Sequence, residues 1–383
     1  MAKKSKLSDK MARINAIIKT VEKTYGSGSA FALGSNEPIQ IPRFGSQSGV
    51  LDDAMGGGYP WGRMVEISGN ESSGKTTLCL HAIAEVQKRM SDDICAFIDS
   101  ENSLDLSYAK RLGVNTNELI VSQPETGDQA LNLVLDYMKM GVKLIIVDSV
   151  AALTPAAEVE GEIGKQTIGL QARLMSQSMR KMSFPIRRYD ACVIFTNQIR
   201  EKIGVQYGNP ETTPGGRALK FYASIRLSLR RLKTITEGEG AKKISVGHTV
   251  SARVVKNKTS PPFRKCLFTI SYGVGIDTVA DLVDQAVDKE VIEKTGAWFS
   301  LGEDRFHGLA SVKDYLRNAE ESVRESVRKA ILGDEKAIKE VKAMNSDFEE
   351  KVVEPEEEIV DTIPASDDEP SLDDEKETSV ESV

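Results

Sequence analysis

The run Gly69-Asn70-Glu71-Ser72-Ser73-Gly74-Lys75-Thr76 is a complete GxxxxGK[ST] phosphate loop. The strand-like Met64-Val65-Glu66-Ile67-Ser68 precedes it and the helix-compatible Thr77-Leu78-Cys79-Leu80-His81-Ala82 follows it. In such a loop Gly69 and Gly74 allow the backbone to aim successive N–H groups at phosphate oxygens, and a helix starting at Lys75 adds its dipole. Lys75 then reaches the β- and γ-phosphates while the Thr76 hydroxyl binds Mg²⁺. The expected ligand is a nucleoside triphosphate with magnesium.

Other residues could complete that chemistry. Asp148 ends the apolar run Leu144-Ile145-Ile146-Val147, where P-loop enzymes hold the magnesium shell with a carboxylate. Glu101 lies just past the run ending at Asp99, so a parallel sheet would bring it near the γ-phosphate. A carboxylate there can orient and deprotonate the attacking water, although an exposed glutamate is the plainer reading of the residue alone. Asn197-Gln198 ends a further apolar run, and an amide that both donates and accepts suits sensing of a γ-phosphate. Two glycine-bearing loops, Glu158 to Gly164 and Ile199 to Gly216, follow the Asp148 and Gln198 runs. Near them stand Arg173, Arg180, Lys181, Arg200, Lys202 and Arg217, which are either solvated surface or a footprint for a phosphate backbone.

These residues need a sheet to position them. Continuous aliphatic runs at 94–99, 144–148 and 191–196 alternate with helical patterns and each ends in a polar residue, which predicts a parallel sheet covered on both faces. Its working ends then line one crevice. After Gly215-Gly216 the alternation in 225–230 and 250–255 predicts an antiparallel extension, with a turn at Gly238 to Lys243. The fold class is α/β: a P-loop NTPase core with a mostly parallel twisted sheet. Ahead of it, Met11, Ile14, Ile17, Ile18 and Val21 mark an amphipathic helix from Ser8 to Tyr25 with no obvious local partner. Helical patterns resume at Asp277 and run from Ser311 to Leu332. The expected organisation is an N-terminal arm over 1–36, a core over 37–277, a small α+β domain over 278–336, and a helical extension with an acidic tail over 337–383.

Composition narrows the classes. The net charge of −7 divides unevenly: residues 349–383 hold 15 acidic residues and 2 lysines, a balance of −13, leaving the rest at +6. The tail has no aromatic residue and three prolines, so it cannot bury enough apolar surface to order itself. It either confers solubility or competes with a polyanion for the basic body. Cys79, Cys95, Cys192 and Cys266 are scattered without metal or redox spacing and read as small buried hydrophobes. No run is apolar enough to span a bilayer, and the lysine-rich start is unlike a secretory signal, so no membrane association and a cytoplasmic location are expected.

The longer phrases resemble the bacterial RecA recombinase family over roughly residues 8 to 332. They are 69–77, Ser149-Val150-Ala151-Ala152-Leu153, Gly169 to Gln177, Asn197 to Val205, Gly208 to Thr213 and Gly215 to Ser224. The resemblance implies an ATP-dependent homo-oligomeric helical filament on single-stranded DNA that pairs it with homologous double-stranded DNA and exchanges strands, in recombinational repair and the SOS response. A LexA-type repressor is the implied protein partner. Position by position, Glu101 resembles the water-activating glutamate, Gln198 the γ-phosphate sensor, and Asp105 and Tyr108 the adenine contacts. Residues Gly69 to Thr77 with Asp148 resemble the family's ATP and Mg²⁺ site. Ile168, Arg173, Ser176, Arg180, Arg200, Ile203, Gly215 and Gly216 stand at DNA-contacting positions. Lys256 and Lys258 resemble a pair that reaches the ATP of the adjoining subunit, and Phe221 the interface residue that couples subunits. The arm helix resembles one that packs on a neighbour. Asn70, Asn102, Pro214 and the turn near Gly238 depart from the family's usual residues. From the motifs alone, a ring-forming helicase with the same core is the runner-up; the arm and the small C-terminal domain argue against it.

Overall fold

In the computed structural model, residues 2–26, 29–30, 32, 41–162, 169–201, 211–238 and 242–344 are described. Nine strands form the main sheet: β1 (Arg63–Gly69), β2 (Cys95–Asp99), β3 (Leu119–Ser122), β4 (Leu144–Asp148), β5 (Cys192–Gln198), β6 (Ile225–Glu237), β7 (Ile244–Asn257), β8 (Lys265–Ser271) and β9 (Gly275–Ile276). Their spatial order is β9-β8-β7-β6-β1-β5-β4-β2-β3. From β6 to β3 every neighbouring pair is parallel, and from β6 to β9 every pair is antiparallel.

The aliphatic runs are continuous because both faces of the parallel half are buried. Val65, Ile67, Phe97, Ile146 and Ile194 face the helix Lys75–Arg89 through Leu78, Leu80 and Ile83. The alternate residues Met64, Ile98, Ile145, Val147, Val193 and Phe195 face the other side. There they meet Leu131, Val134 and Met138 of helix Gly127–Lys139 and Met175, Met179 and Met182 of helix Leu170–Met182. Period-two alternation thus feeds two cores at once. Cys79, Cys95 and Cys192 lie in the first of these cores, and Cys266 is partly buried against it.

The helix expected from Ser8 begins earlier, spanning Ala2–Tyr25, and among residues 9–25 none is buried. Ile17 is 63% exposed, so the apolar stripe of this helix is not covered among the described residues. The strands of the antiparallel hairpin run to Glu237 and from Ile244, longer than their apolar cores suggested. Three strands, β3, β8 and the two-residue β9, had no clear signal. β3 is a short edge strand whose Ile120 and Val121 are exposed.

In the C-terminal part, Asp277 caps helix Thr278–Asp288 by accepting from the Ala280 N–H at 2.9 Å. A three-stranded antiparallel sheet follows over 293–307. The single helical run expected from Ser311 to Leu332 is two helices, Gly308–Asn318 and Glu321–Ile331, with Ala319 and Glu320 extended between them. Arg324 donates to the Leu316 and Arg317 carbonyls at the end of the first, so the break leaves those acceptors satisfied. These elements enclose their own apolar cluster around Val283, Leu301, Val312, Leu316 and Val327.

Candidate nucleotide site and DNA-facing loops

The parallel strands β1, β5, β4 and β2 lie side by side and end in Gly69, Gln198, Asp148 and Asp99. In register, Gly69 stands beside Gln198 and Asp99 beside Asp148. One sheet edge therefore carries the phosphate loop, the amide and both carboxylates, the crevice expected of such a sheet.

Gly74 caps helix Lys75–Arg89 at φ +92°, and a Cβ on it would lie 2.4 Å from Ile270 Cδ1. Gly69 is different from expectation: its φ is not positive, and glycine is required there because a Cβ would meet Ser73 Oγ and the Leu229 carbonyl of β6. Ser72 takes the positive φ instead. Asn70 and Glu71 form the exposed shoulder of the loop. Lys75 Nζ donates to the Gly69 and Asn70 carbonyls at 3.1 and 2.9 Å. Burial lowers its pKa against the pull of Asp148 and Glu101.

Thr76 Oγ1 donates to Asp148 Oδ2 at 2.6 Å, and Thr196 Oγ1 donates to Asp148 Oδ1 at 2.5 Å. Burial pushes the Asp148 carboxyl up; the two hydroxyls and Lys75 oppose this, and the nearby Glu101 adds to it. Hydroxyl and carboxylate oxygens suit a magnesium ion that keeps waters and phosphate oxygens as its remaining ligands. Ser73 Oγ is buried with no partner, which fits a loop shaped to meet an acceptor oxygen.

Glu101 reaches the same place by backbone design. Asp99, buried, accepts from the Ser103 and Leu104 N–H groups at 3.1 Å each, which curls residues 99–104 over the strand end. The Ser100 N–H donates to the Asp148 carbonyl at 2.8 Å, and Ser149 Oγ donates to Glu101 Oε1. Asp148 and Ser149 are joined by a cis peptide. Tyr108 OH shares a hydrogen bond with Thr77 Oγ1 at 3.0 Å, tying helix Leu106–Arg111 to the phosphate-loop helix. Asp105 caps that helix through the Ser107 and Tyr108 N–H groups. Asp99, Ser149 and Thr196 were not singled out in sequence; a polar residue at the end of each apolar strand was the available signal.

The loops after β4 and β5 leave the same edge. Gln171 at the start of helix Leu170–Met182 joins them: its Nε2 donates to the Val150 and Leu153 carbonyls, and its Oε1 accepts from the Gly215 N–H at 3.2 Å. Gly215 and Gly216 have φ of +81° and +76°, and Cβ atoms there would collide with Val150 and Ala172. Arg173 and Arg180 are exposed on that helix, with Ser176 half-buried between them and its carbonyl accepting from Arg180 Nε. Arg200 is exposed in the short antiparallel pair Arg200–Glu201 with Glu211–Thr212. Ile168 and Ile203 lie outside the described residues.

Lys256 and Lys258 are not brought to this edge. Lys256 stands opposite Arg226 in the β6–β7 ladder, level with Glu66, three residues back from Gly69 and so about 10 Å along the strand. Lys256 Nζ donates to the Lys220 and Phe221 carbonyls and Lys258 Nζ to the Phe221 carbonyl. The Phe221 ring is 68% exposed on the short helix Ala218–Tyr222.

Comparison with known proteins accords with this geometry. The model of the RecA N-terminal domain matches residues 12–277 and that of the RecA C-terminal domain residues 280–333. The chain is 48% identical over 336 residues to Protein RecA of Levilactobacillus brevis, covering 86% of this chain and 88% of that protein. It is 49% identical over 339 residues to Protein RecA of Enterococcus faecium, covering 87% and 95% of the two chains. With Protein RecA of Oceanobacillus iheyensis the identity is 50% over 322 residues, covering 83% and 91%. With a phosphate loop, strand-end carboxylates and two adjoining loops on one sheet edge, the chain belongs to the RecA family.

Proposed function

We propose that this chain, a recombinase of DNA repair and a DNA-dependent ATPase by its family, works as a filament on single-stranded DNA in which each ATP is held between successive subunits. Residues Gly69 to Thr77 bind the triphosphate, with Asp105 and Tyr108 beside the base. Thr76 and Asp148 would hold Mg²⁺, which when bound neutralises charge on the β- and γ-phosphates. Glu101, oriented by Ser149, positions the attacking water and accepts its proton. Gln198, beside Gly69, reports the γ-phosphate to the segment Ile199 to Thr213 that follows it, here called loop two.

The observation that carries the filament reading is the placement of Lys256 and Lys258. Two cations lie away from their own phosphate loop, bonded to the backbone of a helix that displays an exposed phenyl ring. Such groups stabilise phosphoryl charge only when a second copy presents its nucleotide to them, so ATP occupancy and DNA affinity are linked through assembly. Arg173, Ser176, Arg180, Arg200 and Gly215-Gly216, with Ile168 and Ile203, serve as the DNA surface. Their contacts are sequence-neutral because recognition passes to base pairing between strands. Double-stranded DNA is the second partner, a LexA-type repressor a further one, and the cytoplasm the site of action. The domain limits are proposed as 1–36, 37–277, 278–336 and 337–383.

The test is Lys256→Ala with Lys258→Ala. DNA-stimulated hydrolysis is expected to fall steeply while nucleotide affinity in the absence of DNA is retained. Loss of both, or of neither, would contradict a role across the subunit boundary.

A further inference from the structure

Glu66 is fully buried in the middle of β1, where an ionised carboxylate is costly without partners. It has two. One oxygen accepts from Asn197 Nδ2 at 3.1 Å and the other pairs with the Arg226 guanidinium on β6. Asn197 is also fully buried, and its Nδ2 donates in addition to the Pro214 carbonyl at 3.3 Å, where the chain returns from loop two. Asn197 Oδ1 has no partner, so the amide is held by its NH₂ alone. Gln198, the next residue, stands beside Gly69. On the other side, Arg226 is the ladder partner of Lys256.

A hydrogen-bonded line thus runs from Pro214 through Asn197 and Glu66 to Arg226, and ends at the strand position of Lys256. Its energetic sense comes from charge. Lys256 is faced by Lys258, the residue just past the end of β7, by Arg226 on β6 and by the anion Glu66 on β1, while its Nζ meets the Lys220 backbone carbonyl. Burial together with Lys258 and Arg226 lowers the Lys256 pKa to about 8, and Glu66 opposes that fall. An uncompensated Arg226 would depress the lysine further and repel it from its place.

We propose that Glu66 is a positioning residue that couples the return of loop two to Lys256, keeping that lysine charged and placed for a neighbouring subunit's nucleotide. This rests on the reading of Lys256 as a trans-acting cation. Asn197 relays the position of Pro214 to one carboxylate oxygen, and the other oxygen fixes the guanidinium against which Lys256 is held.

The test uses the full chain with Glu66→Gln, which keeps shape and removes charge, and Glu66→Asp, which keeps charge and shortens the reach. Both are expected to lose about tenfold or more in DNA-stimulated ATP turnover while binding a fluorescent ATP analogue without DNA as the parent does. In kcat/KM for ATP, which reports the free protein, the parent loses activity as pH rises through about 8, where Lys256 discharges. Glu66→Gln is expected to move that loss to lower pH by about one pH unit. Glu66→Asp, with the charge kept, should leave it near the parent's position. A merely structural role would lower rate without moving the pH limb. Parent-like turnover and pH limb in both variants would overturn the proposal. If Glu66→Gln does not fold, Arg226→Gln takes its place: without the guanidinium that lowers the Lys256 pKa the limb is expected to move to higher pH, and an unmoved limb would overturn the proposal. Lys256→Ala run beside them separates the two readings. Loss there with parent-like Glu66 variants sinks the coupling alone, and no loss there sinks both.

Discussion

Gly69 and Gln198 occupy one register position of the parallel β1–β5 ladder, so the first phosphate-loop residue and the last residue before loop two are immediate neighbours. On the proposed sensing role, a displacement of the Gln198 amide toward or away from a γ-phosphate would pass directly into Ile199 and Arg200. Gln198→Ala is expected to bind ATP without DNA nearly as the parent does but to lose DNA stimulation of hydrolysis on the order of a hundredfold. Steady-state ATPase assays with and without an oligonucleotide check this; retained stimulation would assign the sensing elsewhere.

Gly74 and Gly141 share a φ of +92° but differ in surroundings. Gly141→Ala meets open space and should cost only the left-handed backbone, about 1–2 kcal/mol. Gly74→Ala carries the same strain and also drives a methyl into Ile270 Cδ1. Thermal denaturation should show a clearly lower melting temperature for Gly74→Ala, together with weakened nucleotide binding that Gly141→Ala lacks.

His81 lies buried on the phosphate-loop helix, with Nδ1 bonded to Gln47 Oε1 at 2.6 Å and Nε2 accepting from the Ile276 N–H at 2.9 Å. Burial lowers its pKa from 6.5 to about 4, so the folded protein binds fewer protons here than the unfolded chain between those values. The contribution of His81 to stability is fully present above pH 6.5 and is lost as pH falls toward 4. Asp52 and Asp281, both raised to about 7 by burial, act in the opposite direction, their share being lost as pH rises toward 7. His81→Gln should remove the His81 share alone, so the stability difference between variant and parent should shift in the variant's favour as pH falls from 6.5 to 4. Denaturant titrations of parent and variant from pH 4 to 7 would reveal it, and parallel curves would refute the assignment.

Removing residues 349–383, with their balance of −13, deletes a polyanion from a chain whose remainder is +6. Duplex-DNA affinity should rise most at low salt and converge with the parent's as salt screens the charge. Equal affinity and salt slope in both proteins would exclude competition by the tail.

Much of the core and the site could be read from residue order. Strands buried on both faces announce themselves as continuous aliphatic runs, and the polar residue closing each run located Asp148 and Gln198. What escaped had no local signature. The break at Ala319 and Glu320 carries neither proline nor glycine, and the apolar spacing from Leu316 to Val323 continues across it. Glu66 looked like one polar residue in a strand, because its partners Arg226 and Asn197 are 160 and 131 positions away. The Lys256 and Lys258 roles came only through family resemblance, since nothing in spacing tells that they turn toward the Phe221 carbonyl. The need for Gly69 arises from contact with Leu229 of a distant strand rather than from its own φ.

The central claim is that nucleotide between copies of this chain builds the polymer that holds DNA. Electron microscopy of the purified full chain with magnesium and a single-stranded oligonucleotide, with ATP or with none, tests it most directly. The account expects extended helical filaments only when ATP is present. Particles that remain monomeric under both conditions, or closed rings that encircle the strand, would contradict it.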